Sequence, residues 1–212
     1  MLRYLYADEL HKHPALADGM FKDRADQFKT RLGWDVTVNE KGEERDQYDV
    51  LNPLYVIWEE PDGNHGGSLR MLPTTGPVMV NDVFGHLTGG QPVRSPLIWE
   101  ATRFCLSRTA SPHTAGIIML SCFGILEGFS LSNIVGAFDA RMIRIYRLIG
   151  WSPVIVGSQG QGREKISVGL WSYSTDDHNR VAERVGVTRE LSRLWFKTSF
   201  GSTAQHRFSL TA

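Results

Sequence analysis

Residues 97–107 read Leu97-Ile98-Trp99-Glu100-Ala101-Thr102-Arg103-Phe104-Cys105-Leu106-Ser107, a β-like run in which two charged side chains interrupt apolar ones. The segments on its C-terminal side set the fold class. Residues 113–129 are mostly apolar on every side, which predicts a buried helix. Residues 131–137 read as a strand and 139–149 as a helix closed by Gly150. Further strands lie near 152–157 and 164–173. Strands and helices alternate, so the class is α/β (α+β), with helices packed on a mixed sheet.

The chain upstream of this run completes the pattern. Residues 2–7 read as a first strand and 15–33 as a helix, whose Phe21, Ala25, Phe28 and Leu32 recur at helical spacing until Gly33 stops it. Residues 35–50 are polar and form a loop longer than most connections, a length often tied to function. A hairpin comes next, with arms 54–58 and 67–72 around Pro61-Asp62-Gly63-Asn64. Residues 73–96 are rich in Pro, Gly and Thr, with a short helix near 79–87. The tail from Asp176 to Ala212 is expected to be helical, then frayed. No linker or repeat divides the chain, so 1–212 is expected to be one domain.

Composition narrows the function classes. Lysine plus arginine and aspartate plus glutamate number 23 each, so no global charge draws the chain to nucleic acid or to an anionic membrane. The N-terminus meets acidic residues too soon for a secretory leader, and no apolar run approaches a bilayer span. Cys105 and Cys122 form no CxxC and lie in apolar segments, which points to two reduced, buried thiols in a cytoplasmic protein. The seven histidines form no zinc-like cluster, and no metal site is expected. Gln159-Gly160-Gln161-Gly162 resembles a phosphate cradle, but a strand-like run comes next where a cradle needs a helix, so a hairpin turn is expected.

Glu100 and Arg103 are the most informative charges, because charge inside a buried strand is costly unless paired or used. Strand alternation puts Glu100 and Thr102 on one face and Arg103 on the other. A site shared by Glu100 and Arg103 therefore requires a bulge or strong twist at 100–104. Arg24 and Phe28, four apart, share a helix face.

Taken in order, Arg24-x3-Phe28-x5-Trp34, Asp46-x2-Asp49, Arg70, Phe84 and Glu100-x2-Arg103 resemble the acyl-homoserine lactone synthase family. The flanking Ser68-Leu69-Arg70-Met71-Leu72-Pro73-Thr74-Thr75, Asp82-Val83-Phe84 and Trp99-Glu100-Ala101-Thr102-Arg103 are similar to it as well, over about residues 3–175. The resemblance implies a three-layer α-β-α sandwich like that of the GNAT N-acyltransferases. It also implies transfer of an acyl chain from an acyl carrier protein or acyl-CoA to the amine of S-adenosylmethionine, then lactonisation with release of methylthioadenosine. S-adenosylmethionine is a substrate here, and no cofactor is implied.

On that resemblance Glu100 is the candidate base, with Arg103, Asp46, Asp49 and Arg70 organising the charges. Arg24, Phe28, Trp34, Asp46, Asp49 and Arg103 are the candidates for binding S-adenosylmethionine. Phe84, Thr102, Phe104, Met119, Cys122 and Phe123 are candidates for the acyl chain and pantetheine, although a plain core role suits several of these equally. Arg141, Arg144 and Arg147 form a basic stripe that suits an acidic carrier protein, or simply a solvated helix face. Oligomeric state, acyl length and oxidation are left open. Two rivals are weighed: another GNAT-type acyltransferase, and a binding protein without turnover.

Overall fold

The computed structural model describes residues 1–201, so the end of the expected helical tail, 202–212, lies outside the described residues. Seven strands form one sheet: β1 (Leu2–Tyr6), β2 (Leu54–Glu59), β3 (His65–Pro73), β4 (Ile98–Leu106), β5 (Asn133–Asp139), β6 (Val154–Gln159) and β7 (Ile166–Ser172). Their order is β1-β2-β3-β4-β5-β7-β6. Every adjacent pair is antiparallel except β4–β5, which is parallel. The buried helix α3 (Thr114–Gly128) is the crossover that a parallel pair requires.

Side-chain alternation sorts the strands into two buried faces. Tyr55 and Ile57 of β2 face α1 (Pro14–Ala25) and meet its Leu16, Met20 and Phe21. Leu54 and Val56 face the other way, towards α3, as do Leu69 and Met71 of β3. That second layer also holds α4 (Ala140–Ile149), α5 (Thr175–Val185) and α6 (Arg189–Phe200). The result is the three-layer α-β-α sandwich expected from the sequence. A four-residue helix, α2 (Met79–Asp82), lies against β4 and β5 on the α1 side. The segment expected as one helix at 79–87 is instead α2 and then a 3-10 turn at Gly85–Thr88.

Three local departures shape the site. The helix expected at 15–33 is α-helical only to Ala25, and residues Asp26–Arg31 form a π-helical turn. That turn lets Gln27 reach across to β4, donating to the Phe104 carbonyl (2.8 Å) and accepting from the Leu106 N–H (2.9 Å). Second, β4 carries the irregularity that a shared site requires: β3 pairs Ser68 with Cys105 but Arg70 with Thr102, so Leu69 alone stands opposite Arg103 and Phe104. Arg103 sits at φ +55°, left-handed backbone that a bulky residue adopts only when its surroundings compel it. Third, β4 and β5 pair only from Ile98–Asn133 to Glu100–Val135, and beyond that no ladder joins them. Gln159-Gly160-Gln161-Gly162 is the β6–β7 turn, as expected, with Gly160 at φ +81°.

Candidate active site

The split between β4 and β5 opens into a cavity of about 340 Å³ whose lining is mainly apolar. Residues 101–104 of β4 form one wall and 136–139 of β5 the other. Phe28 and Trp34 close one end, stacked at 5.1 Å between centroids and 13° between planes. Phe28 is buried, whereas Trp34 is 39% exposed and marks the way in.

Behind that wall lies a closed ring of six alternating charges. The Arg24 guanidinium contacts Glu44 at 2.6 Å and Asp49 through two bonds of 2.9 Å. Asp49 accepts from Arg70 at 2.8 Å, and Arg70 donates to both Asp46 oxygens at 2.5 and 2.9 Å. Arg103 meets Asp46 at 2.7 Å and returns to Glu44 at 2.9 Å, closing the ring. Three cations and three anions cancel, which is how so much charge is held among buried groups. Tyr55 donates to Asp49 at 2.6 Å, and Arg70 Nε donates to Thr102 Oγ1 at 3.1 Å. Burial disfavours the Asp49 anion, but the Arg24 hydrogen bond and the charges of Arg24 and Arg70 outweigh it and hold that carboxyl well below the usual range.

The ring depends on the bulge. Arg70 and Thr102 lie side by side in the β3–β4 register, with Leu72 and Glu100 two residues on. In a regular strand Arg103 would face the opposite layer; the extra residue turns it onto the Arg70 face, where it meets Glu44 and Asp46. Its guanidinium also lies 5.4 Å from the Phe28 ring centroid. Arg103 and Asp46 are the ring members with partly open side chains, at 10% and 11%, and Arg103 lines the cavity.

Glu100 stands apart from the ring. Its carboxylate is 1% exposed and accepts from the Met79 N–H (3.0 Å) and the Val80 N–H (2.5 Å) of α2. Burial raises its pKa to about 7, against the lowering pull of those two N–H groups and of Arg70. Met79, which it bonds, and Ala101, the next residue in the chain, both line the cavity. A carboxyl that exchanges protons near neutral pH, one residue from an apolar cavity, is equipped for general-base work.

The expected site residues thus divide. Phe28, Trp34, Phe84, Thr102, Arg103, Phe104, Met119 and Cys122 line the cavity. Arg24, Asp46, Asp49 and Arg70 lie behind it in the ring, so Arg24, expected to touch substrate, spends its guanidinium on Glu44 and Asp49. Phe123 is corrected: it is not on the cavity wall but is sandwiched between Trp151 (4.2 Å) and His178 (4.7 Å). Glu44 was missed. It looks like one more charge in Lys41-Gly42-Glu43-Glu44-Arg45, yet it is fully buried and joins Arg24 to Arg103. Its place just before Asp46, in the same polar loop, was the available signal. Cys105 and Cys122 are free and buried.

Comparison with known proteins identifies the family. Residues 8–182 match the autoinducer synthase family model. The acyl-homoserine-lactone synthase of Rhizobium etli is 39% identical over 185 residues, covering 84% of this chain and 86% of that protein. Among solved structures, the CoA-dependent acyl-homoserine lactone synthase BjaI with SAM and isopentyl-CoA superposes with a TM-score of 0.78 at 20% identity, over 88% of this chain and 90% of that one. A putative N-acetyltransferase from Lactobacillus plantarum gives 0.53 at 11% identity, over 81% and 97%, a likeness of fold. With the family model spanning most of the chain, this protein belongs to the autoinducer synthases and is an acyltransferase, an acyl-homoserine lactone synthase.

Proposed function

We propose that the β4–β5 split holds the acyl thioester and that the Arg103–Asp46 side of the charge ring, with the Phe28–Trp34 stack, holds S-adenosylmethionine. The observation that supports this most is the bulge, because it sets the one ring arginine that reaches the cavity beside the stacked aromatics. Arg103 suits the methionine carboxylate, Asp46 the ammonium, and the aromatic faces the sulfonium or adenine. Arg24, Glu44, Asp49 and Arg70 are positioning residues that fix those two side chains.

The α-ammonium must lose a proton before it can attack. Glu100 takes it through a water, since its carboxylate is engaged at α2 and does not itself line the cavity. The amine then forms a C–N bond to the thioester carbon, the C–S bond breaks, and the departing thiolate takes up a proton. The carbonyl oxygen becomes negative on the way, and a backbone N–H on the unpaired edge of β4 can stabilise it. Phe104 suits this: its carbonyl points to that edge to meet Gln27, and a strand residue directs N–H and C=O the same way. In the second step a methionine carboxylate oxygen attacks the γ-carbon, and the C–S⁺ bond breaks towards sulfur. That closes the lactone and frees neutral methylthioadenosine, with no resident cofactor.

The donor is read as an acyl carrier protein, with acyl-CoA the alternative used by BjaI. Met142 and Tyr146 of α4 line the cavity while Arg144 and Arg147 of the same helix are exposed, a basic face beside the acyl site. No described helix is long and apolar enough to cross a membrane. Both substrates are cytoplasmic metabolites, and the cytoplasm is the expected compartment. The test is to incubate the protein with S-adenosylmethionine and a panel of carrier-protein and CoA thioesters. Methylthioadenosine and an acyl-homoserine lactone appearing together support the reading. Acylation without methylthioadenosine would point to a different acceptor, and binding without turnover to a non-catalytic protein.

A further inference from the structure

Beyond Glu100 no ladder joins β4 to β5, yet the β4 edge is not bare along its whole length. The side-chain amide of Gln27 lies against it, donating from Nε2 to the Phe104 carbonyl (2.8 Å) and accepting at Oε1 from the Leu106 N–H (2.9 Å). In a parallel ladder a residue donates its N–H to the carbonyl just before its partner and accepts from the N–H just after it. Gln27 makes that same pair of bonds around Cys105, so a side chain stands where a β5 residue would otherwise pair. Arg31, four residues on, extends the imitation by donating to the Leu106 carbonyl (2.8 Å) and to Gln27 Oε1 (2.9 Å). The π-helical turn Asp26–Arg31 carries both side chains, and such turns are rare and occur mostly at functional sites.

This splint sits where the regions assigned to the two substrates meet. Gln27, Phe28, Trp34, Arg103 and Phe104 all line the cavity. Gln27 adjoins Phe28 in the chain and grips Phe104, the residue after Arg103. We infer that Gln27 is a positioning residue for the acyl-transfer step: by standing in for the missing strand, it fixes the Phe104 peptide groups on the wall of the split and holds the turn that carries Phe28 at a set distance from them. This rests on the reading that the thioester occupies the split and S-adenosylmethionine the Phe28–Trp34 side. Attack needs the amine about 3–3.5 Å from the thioester carbon, and a misplacement of about 1 Å costs roughly a hundredfold in rate. Lactonisation joins two ends of one molecule already bound beside Phe28, so it does not depend on the alignment that Gln27 sets.

The experiment separates the two steps. Gln27→Leu removes both bonds, and Gln27→Glu keeps an acceptor for the Leu106 N–H but sets an oxygen against the Phe104 carbonyl. Thiol release from carrier-protein and CoA thioesters reads the first step. Methylthioadenosine release from chemically N-acylated S-adenosylmethionine, supplied directly, reads the second. Per folded molecule, each variant is expected to release thiol about ten- to hundredfold more slowly than wild type, in kcat, with KM for either substrate moved by less than about threefold. Both variants are expected to lactonise the supplied intermediate at the wild-type rate. A loss shared equally by the two steps is what general loosening gives, and it overturns the inference. Unchanged thiol release in both variants overturns it too, as does a loss confined to KM. Should Gln27→Leu fail to fold, Gln27→Glu carries the same test, and should wild type not accept the supplied intermediate, the division of the thiol-release defect between kcat and KM decides. Wild-type protein that releases no thiol from any donor would sink the synthase reading itself.

Discussion

Glu100→Gln tests the proposed base through stability as well as rate. The Glu100 carboxyl is 1% exposed, and its pKa rises from 4.5 to about 7 on burial. A rise of that size is worth about 3 kcal/mol of preference for the neutral form in the fold. The folded protein therefore binds the extra proton between those two values. The contribution is complete below the unfolded pKa and is lost as pH rises through the folded one. Between about pH 5 and pH 8 wild-type protein should lose roughly 2.5 kcal/mol on this account. Glutamine has no proton to lose, so the stability difference between Glu100→Gln and wild type should move in the variant's favour by about that amount over the same window. Gln keeps one acceptor for the Met79 and Val80 N–H groups but turns a donor towards them, which offsets the two curves without changing how they diverge. Urea unfolding at several pH values, with m unchanged, reads the difference directly. In parallel, wild-type kcat/KM should fall as pH drops below about 7, and the variant should be about a hundredfold slower or worse with that limb gone. Parallel stability curves, differing by a constant across the window, would show that Glu100 is already ionised in the fold and would remove the argument for it as a base near neutrality.

Asp49→Asn should destabilise the protein by about 3–5 kcal/mol at neutral pH, because Arg24 and Arg70 lose a shared buried anion. Asp49 has a depressed pKa, so the wild-type advantage, measured by thermal unfolding, should hold above the ordinary carboxylate range and fade as pH falls through the lowered value. Trp34→Ala removes half of the aromatic stack from a partly exposed position, and should raise KM for S-adenosylmethionine roughly tenfold while leaving Tm almost unmoved. Gly136→Ala places a methyl 3.0 Å from the Ala101 carbonyl oxygen in the mouth of the split, and should lower kcat/KM for the acyl donor about tenfold in steady-state assays.

The sequence carried the fold because periodicity and order are local or nearly so. The apolar run at 113–129, the flanking strands and the Gly150 stop read directly as β4-α3-β5-α4, and Gly150 is the left-handed cap it resembles, at φ +97°. The candidate site residues came from the ordered motifs that resemble the acyl-homoserine lactone synthases; residue chemistry by itself singled out only Glu100 and Arg103, as charges inside an apolar strand. What escaped was geometry set at a distance. The π-turn at Asp26–Arg31 exists where Gln27 and Arg31 meet carbonyls of β4, about seventy-five positions away, and no helical pattern announces that. Glu44 escaped for a like reason: it differs from exposed charges in its loop only by partners on α1 and β4. Phe123 was misplaced because an all-apolar helix gives no sign of which residues face a cavity and which face the next layer.

The bulge is where the two kinds of information meet. Glu100 and Arg103 are three apart, an odd step that alternation forbids on one face, so a site shared by both required an irregularity in β4. The structure shows what holds it there. A residue at φ +55° costs about 1 kcal/mol or more, and Arg103 offsets it by reaching the buried Glu44 and the partly open Asp46 on one side of the strand. The same two-against-one step at Leu69 lies alongside the segment where β4 has parted from β5. One inserted position thus stands at both features the reaction needs, the charge that reaches the cavity and the unpaired strand edge beside it. Replacing Arg103 by an uncharged residue should then do more than remove a contact. With no anion to reach, the backbone is free to relax towards regular pairing with β3, which would swing Phe104 and its N–H away from the split.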